Sequence, residues 1–466
     1  MTHIPFQHSM VKGGSMAASS PSHAGCSSSR QSTLSHSNST AGSTGSVART
    51  PSASDTETKS VEDSTAEHPG ILSAGASEEV PPHTCKKTVL VTGGAGFIGS
   101  WVAEALLARG DDVIVVDEVN SYYDVGVKRS NIAMLLEKYG PKRVSFFEGD
   151  LCDAALMARV FGERTRGEDV EGVEWVVHMA ARAGVRPSIE DPFVYVHSNV
   201  EATTRLLELS RVHGVKSFVF ASSSSVYGGN QNEVVFSEKD VVDFPVSPYA
   251  ATKKSCELMA HTYSHLYGLN VAGLRFFTVY GARGRPDMAP FKFIDLVAKG
   301  EEIMQFGDGS TSRDYTYISD IVDGVLRSLD RPAGYQIYNL GNGSPVSLSS
   351  FIGLVERAVG TPAKIKVCPE QPGDVPRTCA DISKARSMLG YSPRVAFEDG
   401  IKKTVGWYQA AVATAAENQV SADEPQAKKN VAPLIQQQQQ HSSPWSEGLV
   451  GGGIMERSAS TVSCVS

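Results

Sequence analysis

The chain has 466 residues, 41% of them hydrophobic, and a formal net charge of −8. The charge is mild and forms no block of one sign, which argues against nucleic acid as a main partner. No apolar run is long enough to span a bilayer, and the opening "MTHIPFQHSMVKGG" lacks the apolar core of a secretory signal.

In chain order, residues 1–84 come first, and "SSSRQSTLSHSNSTAGSTGS" typifies them. Such sequence has no hydrophobic period and too little apolar surface to offset its ordering entropy, so a disordered tail is expected. A Ser-rich, acid-poor start also suits a transit peptide, but the scarcity of Arg favours plain disorder and a cytoplasmic chain. Residues 413–466, with "LIQQQQQHSSPW", read as a second disordered tail. The cysteines at 26, 85, 152, 256, 368, 379 and 464 form no CxxC pair and are odd in number. Free thiols in a reducing compartment are expected.

Between the tails, short apolar runs alternate with helical patterns. "TVLVT" (88–92), "VIVVD" (113–117), "VSFFEGD" (144–150), "WVVHMA" (175–180) and "SFVFAS" (217–222) read as strands. "FIGSWVAEALLARG" and "NVEATTRLLELSRVHG" read as helices between them. This repetition predicts an α/β fold, a Rossmann-type doubly wound parallel sheet with buried strands. The expected organisation is a Rossmann-type domain over 85–285 and a smaller lobe over 286–412, interleaved with the last sheet strands.

"VTGGAGFIGS" sets Gly93, Gly96 and Gly99 between a strand and a helix. A tight turn, close backbone approach to a pyrophosphate and a helix N-terminus together make a dinucleotide site. Asp117 closes the next strand, about 20 residues on, where a carboxylate binds the adenosine ribose. It would repel a 2′-phosphate, so NAD is favoured over NADP. No metal site is expected.

"PVSPYAATKKSCELMAH" opens a helix at Pro248 on which Tyr249 and Lys253 share a face. Free tyrosine titrates near ~10. A lysine ammonium and a cationic nicotinamide would lower that and make Tyr249 a general base. The strand ending in "ASSSSVYG" brings hydroxyls to the same sheet edge.

Taken together, "VTGGAGFIGS", "GDLCD", "HMAARAGVR", "ASSSSVYG", "YAATKK", "LRFFTVYGARGRPDM", "GDGSTSRDYTYISDIVDG" and "QPGDVP" carry a family resemblance. The chain resembles an extended short-chain dehydrogenase/reductase of the nucleotide-sugar epimerase and dehydratase group, over about residues 86–410. It looks most like the UDP-glucuronate 4-epimerases. That resemblance implies bound NAD, a transient 4-keto sugar, a UDP-sugar substrate and a homodimer. Catalysis would rest on Tyr249, Lys253 and Ser223, the serine four places before Tyr227. Ser224 and Ser225 stand where dehydratases carry Asp and Glu and decarboxylases end in Glu, so plain epimerisation is expected.

The resemblance also implies roles for further residues. Gly93, Gly96, Phe97, Ile98, Asp117, Asp150, Leu151, Ala180, Ala181, Asn199, Lys253 and Phe276 would hold the cofactor. Ser224, Ser225, Arg186, Thr278, Arg285, Arg313 and Asp374 would hold the substrate, with Arg285 facing the sugar carboxylate and "MAPFKF" (288–293) lining the uracil. Four positions depart from the family pattern: Glu118 for Asn, Arg182 for Gln, Ala282 for Pro and Cys379 for an aromatic. The weaker readings are a UDP-glucose or UDP-N-acetylglucosamine 4-epimerase, a dehydratase or decarboxylase, and a non-catalytic NAD-binding scaffold.

Overall fold

The computed structural model describes residues 84–162, 172–228, 235–370 and 376–423, all within one compact unit. The expected tails lie outside them, apart from Thr84 and residues 413–423.

Strands and helices alternate through the first half: β1 (Thr88–Thr92), α1 (Phe97–Ala108), β2 (Asp112–Asp117), α2 (Val125–Tyr139), β3 (Val144–Glu148), α3 (Ala154–Gly162) and β4 (Trp175–His178). Next come α4 (Val185–Glu190), α5 (Pro192–Tyr195), a π-helical turn (Val196–Glu201), α6 (Ala202–Val212), β5 (Ser217–Ser223), a 3-10 turn (Ser224–Tyr227), α7 (Pro248–Tyr267) and β6 (Val271–Phe276). The second half holds β7 (Thr278–Tyr280), α8 (Ala289–Lys299), β8 (Glu302–Phe306), β9 (Ser312–Arg313), β10 (Tyr315–Tyr317), α9 (Ile318–Asp330) and β11 (Tyr335–Leu340). It ends with β12 (Val346–Ser347), α10 (Leu348–Val359), β13 (Lys364–Cys368), α11 (Ser383–Leu389) and α12 (Phe397–Asp423). That last helix passes the tail boundary expected at 413, because "AAVATAAENQ" is rich in strong helix formers.

Seven parallel strands form one sheet in the order β11-β6-β5-β4-β1-β2-β3. This is the expected Rossmann-type, doubly wound sheet. Alternate residues of each strand feed opposite faces. Val89 and Val91 join Leu106 of α1 and Ile321 of α9 on one side. Leu90 joins Val160 of α3, Leu206 of α6 and Ala260 of α7 on the other. Small two-stranded sheets (β7 with β10, β8 with β13, β9 with β12) build the second half around Phe293, Phe351 and Phe397. Strand order reverses direction at β1 and β4, and such a switch point opens a crevice at the strands' C-terminal ends.

One polar group is locked into this core. His178 closes β4; its Nδ1 lies 2.7 Å from Thr92 Oγ1 and its Nε2 2.9 Å from Thr203 Oγ1, tying β4 to β1 and α6. Burial, with the Lys253 charge nearby, pushes His178 down to about 3. The depressed value means that the unfolded chain takes up the proton first. The stability this group contributes is therefore present above the ordinary histidine pKa and lost as pH falls through the window toward the folded value. Urea unfolding should show a loss of up to about 3 kcal/mol from this group by about pH 4. His178→Asn should flatten that slope; an unchanged slope would show that the acid sensitivity arises elsewhere.

Candidate active site

The C-terminal ends of β1 to β6 surround a cavity of about 440 Å³. The glycine loop forms its floor. Gly93 has φ +68, and a Cβ there would sit 2.6 Å from the Ala180 backbone nitrogen, so the loops after β1 and β4 meet backbone to backbone. Gly96 precedes α1 and offers no side-chain cap, which leaves the helix's first-turn N–H groups for a ligand. A Cβ on Gly96 would lie 3.1 Å from Gly93 O and 3.6 Å from Tyr123 Oη, filling the hollow. The Tyr123 hydroxyl is buried with no protein partner.

Asp117 ends β2 and is buried. Its Oδ2 accepts from Ala95 N (3.1 Å) and its Oδ1 from Val119 N (2.9 Å). Burial pushes its carboxyl up, while those N–H groups and Lys128 pull it down. Val119 adopts φ 47 beside it, a costly backbone for a β-branched residue. An uncapped helix start, a glycine cradle, an orphaned hydroxyl and a fixed carboxylate fit a dinucleotide such as NAD.

Across the crevice, α7 begins where Ser247 Oγ caps Ala250 N (3.1 Å) ahead of Pro248. This places Tyr249 and Lys253 on the cavity wall with Ser223, Ser224 and Ser225. Loss of water pushes the Tyr249 phenol up; a hydrogen bond with Ser223 and the Arg285 charge pull it down. Lys253 Nζ donates to Ala221 O (2.8 Å), and burial pushes that ammonium down. Within the protein alone the downward pulls come from Ser223 and Arg285 rather than from the lysine, and the phenol stays above its ordinary value because burial outweighs them.

Most predicted residues border this cavity: Gly93, Gly96, Phe97, Ile98, Asp117, Asp150, Leu151, Ala180, Ala181, Phe276, Thr278 and Arg285 join Tyr249, Lys253 and Ser223. Asp150 is held by His197 Nε2 (2.8 Å). Asn199 stands behind the wall in the π-helical turn, its amide bonding both Arg182 N (2.8 Å) and Arg182 O (3.0 Å). Arg186 and Arg313 are not in the lining. Arg186 lies 5.7 Å from the Phe306 ring centroid, and Arg313 Nη1 donates to Ser312 O (3.0 Å). Asp374 lies outside the described residues. Of "MAPFKF", Met288 borders the cavity, whereas Phe291 packs on Trp407 and Phe293 on Phe351.

Tyr122, Tyr123, Asn120 and Lys128 line the cavity without having been singled out. Lys128 heads the buried stripe of α2 with Ile132 and Leu135, which was its available signal. Arg285 is already paired: its Nε and Nη2 bind Asp287 (3.0 and 2.5 Å), and Nη2 reaches Tyr122 Oη (3.3 Å).

Beneath the serines, Ser222 Oγ donates to Glu257 Oε1 (2.7 Å). Arg275 clasps the same carboxylate through Nε and Nη2, each at 2.8 Å. Both charged residues are buried, and the guanidinium lies 4.8 Å from the Tyr227 ring centroid. Burial pushes Glu257 up, but Arg275 and Ser222 hold it below the ordinary carboxylate range.

Residues 90–404 match the GDP-mannose 4,6 dehydratase family. UDP-glucuronate 4-epimerase of Thermodesulfobacterium geofontis is 44% identical over 319 residues, 68% of this chain and 95% of that protein. UDP-glucuronate 4-epimerase 5 of Arabidopsis thaliana is 47% identical over 339 residues, 69% of this chain and 75% of the plant protein. Among solved structures, UDP-glucuronic acid 4-epimerase from Bacillus cereus, in complex with UDP-glucuronic acid and NAD, is similar at TM-score 0.63 and 33% identity, over 70% of this chain and 99% of that chain.

Glu257→Ala should strand the Arg275 charge in the core and cost about 3–5 kcal/mol in chemical denaturation. A loss under about 1 kcal/mol would mean that the pair is not holding α7 to the sheet.

Proposed function

The chain belongs to the GDP-mannose 4,6 dehydratase family of nucleotide-sugar enzymes, and we propose that it is an NAD-dependent UDP-sugar 4-epimerase converting UDP-glucuronate to UDP-galacturonate. The observation that carries this reading is the make-up of the wall around Tyr249. Ser223, Ser224 and Ser225 stand there, with Arg285 close by. The acidic side chains lining the cavity among the described residues are Asp117, which ends β2, Glu118 just after it, and Asp150, after β3. No carboxylate is supplied from β5 to remove a second sugar proton or to protonate a leaving hydroxyl.

When bound, NAD supplies the hydride acceptor and donor for sugar carbon 4, so a transient 4-keto sugar can be reduced on its other face. Tyr249 takes the proton of the 4-hydroxyl and returns it. Ser223 shares that proton through its hydrogen bond to the phenol. Lys253, fixed by the Ala221 carbonyl, places a positive charge on the same helix face. Phe276 walls the cofactor side, and Gly93, Gly96, Phe97, Ile98, Asp150, Leu151, Ala180 and Ala181 seat the dinucleotide. Thr278 and Arg285 receive the sugar, and a guanidinium suits a uronate carboxylate. Arg186, on α4, would stand near the substrate, and Arg313 and Asp374, after residue 285, would serve its diphosphate and its nucleotide ribose. The Asp287 partner of Arg285 favours a second reading, a UDP-glucose or UDP-N-acetylglucosamine 4-epimerase, since a neutral sugar leaves that pair intact.

The purified protein should epimerise UDP-glucuronate in preference to UDP-glucose with no NAD added. Tyr249→Phe should cut turnover by about 100- to 10,000-fold while NAD stays bound. Arg285→Ala should raise KM for UDP-glucuronate by about 10- to 100-fold and spare UDP-glucose. Equal losses on both sugars would remove the carboxylate role.

No helix among the described residues is long and apolar enough to cross a membrane. Cys152, Cys256, Cys368 and Cys379 are free thiols, which supports a reducing, cytoplasmic setting; co-purification of the tagged chain with organelles would count against it. Exposed Phe193, Leu258, Leu266 and Tyr267 support a homodimer through the α5–α7 region. Light scattering should give twice the chain mass, and Leu258→Asp should halve it; a monomeric parent protein would refute the pairing.

A further inference from the structure

The sheet places β1 between β4 and β2. The glycine loop follows β1, so it lies between the loop after β4 and the loop after β2. These two flanking loops touch. The Arg182 guanidinium, from the β4 side, packs 4.5 Å from the ring centroid of Tyr122, from the β2 side. The Tyr122 hydroxyl in turn donates to the Ala183 carbonyl. Both residues border the cavity, as do Gly93 and Gly96. The pair therefore bridges the groove that the glycine loop floors.

Arg182 also differs from the other cations of this lining. Lys128 Nζ is bound to Asn120 O (2.9 Å) and Oδ1 (2.8 Å), Lys253 Nζ to Ala221 O (2.8 Å), and Arg285 to Asp287. Among the described residues the Arg182 guanidinium has neither an ion pair within 4 Å nor a hydrogen bond; it meets the Tyr122 ring, feels the Glu118 carboxylate at longer range and is tied through its backbone to Asn199. Asn199 fixes that backbone from both its N–H and its C=O. A half-buried, backbone-anchored guanidinium with open donors, spanning a phosphate-type loop, is suited to an anion seated on that loop. The family resemblance implies a neutral Gln at this position, from which Arg182 departs.

We infer that Arg182 and Tyr122 form a clasp over the bound dinucleotide, with Arg182 binding its diphosphate from the side facing away from the glycine loop. The clasp makes Arg182 a retention residue for the cofactor. This rests on the reading that the cavity takes NAD.

The test is cofactor retention. NAD released on denaturing the gel-filtered protein is quantified first; a parent protein that neither carries nor takes up NAD would sink the NAD reading itself. Given a loaded parent, Arg182→Gln should speed NAD dissociation by about 10- to 100-fold, the worth of a charge-assisted hydrogen bond. Arg182→Lys should recover part of that retention. Salt should accelerate release from the parent and act weakly on Arg182→Gln. NAD release from Arg182→Gln at the parent rate would overturn the clasp alone. So would unchanged NAD retention accompanied by a raised KM for UDP-glucuronate, which would assign the guanidinium to the sugar nucleotide.

Discussion

The site depends on a buried ion pair that itself touches no reacting atom. Glu257 sits one turn beyond Lys253 on α7 and meets Arg275 from β6 and Ser222 from β5. Each of the three belongs to a different element, so one carboxylate sets the helix against two strands. Tyr249 and Lys253 ride on that helix, and Ser223 follows Ser222 on the strand. A shift of α7 would separate phenol from serine and leave an unpaired charge in the core. Breaking such a pair from one side is expensive, whereas forming it adds little net stability. Its value here is registry.

Charge in the cavity follows the same division. On the β2 side, Asp117 is held by two backbone N–H groups and stands near Lys128. On the β5–β7 side the lining is hydroxyls, a phenol, a lysine and an arginine. A nucleotide cofactor and a nucleotide sugar are both anionic, and the cations are spread along the path between them. Arg285 is held in reserve by Asp287. On the proposed reading a sugar carboxylate would compete with that partner, and selectivity for a uronate would then depend on exchange of one carboxylate for another rather than on an idle positive charge.

The sheet was legible in the sequence because parallel strands buried on both faces are continuous apolar runs, and each appears at its expected place. The glycine loop and Asp117 were legible through spacing, and the Tyr249–Lys253 pair through the helix period. Side-chain direction was not. Phe291 and Phe293 had a site's composition but pack into the second half's core. Asn199 serves the loop carrying Arg182 because a π-helical turn directs its amide there. Lys128 had a signal in the buried stripe of α2, but a lysine at the head of such a stripe is more readily read as a solvated flank. Tyr122 and Tyr123 lay in a segment that reads as loop, and only the folded crevice shows what they cover.

Four consecutive serines illustrate how far position refines composition. Ser222 points its hydroxyl into the Glu257 pair and is structural. Ser223 ends β5 and caps the 3-10 turn by accepting from Ser225 N (3.1 Å). A hydroxyl has one proton and two lone pairs, so accepting that N–H leaves its proton free to donate to the Tyr249 oxygen. Donation favours the phenolate, which agrees with the downward pull of Ser223 on Tyr249. The turn at Ser224 follows directly from that cap, and it holds the next two side chains at the cavity wall. Carboxylates on this turn would add acid and base groups beside the sugar. With serines there, the proposed role of proton carrier on that wall falls to the tyrosine, which suits the reversible chemistry at a single carbon.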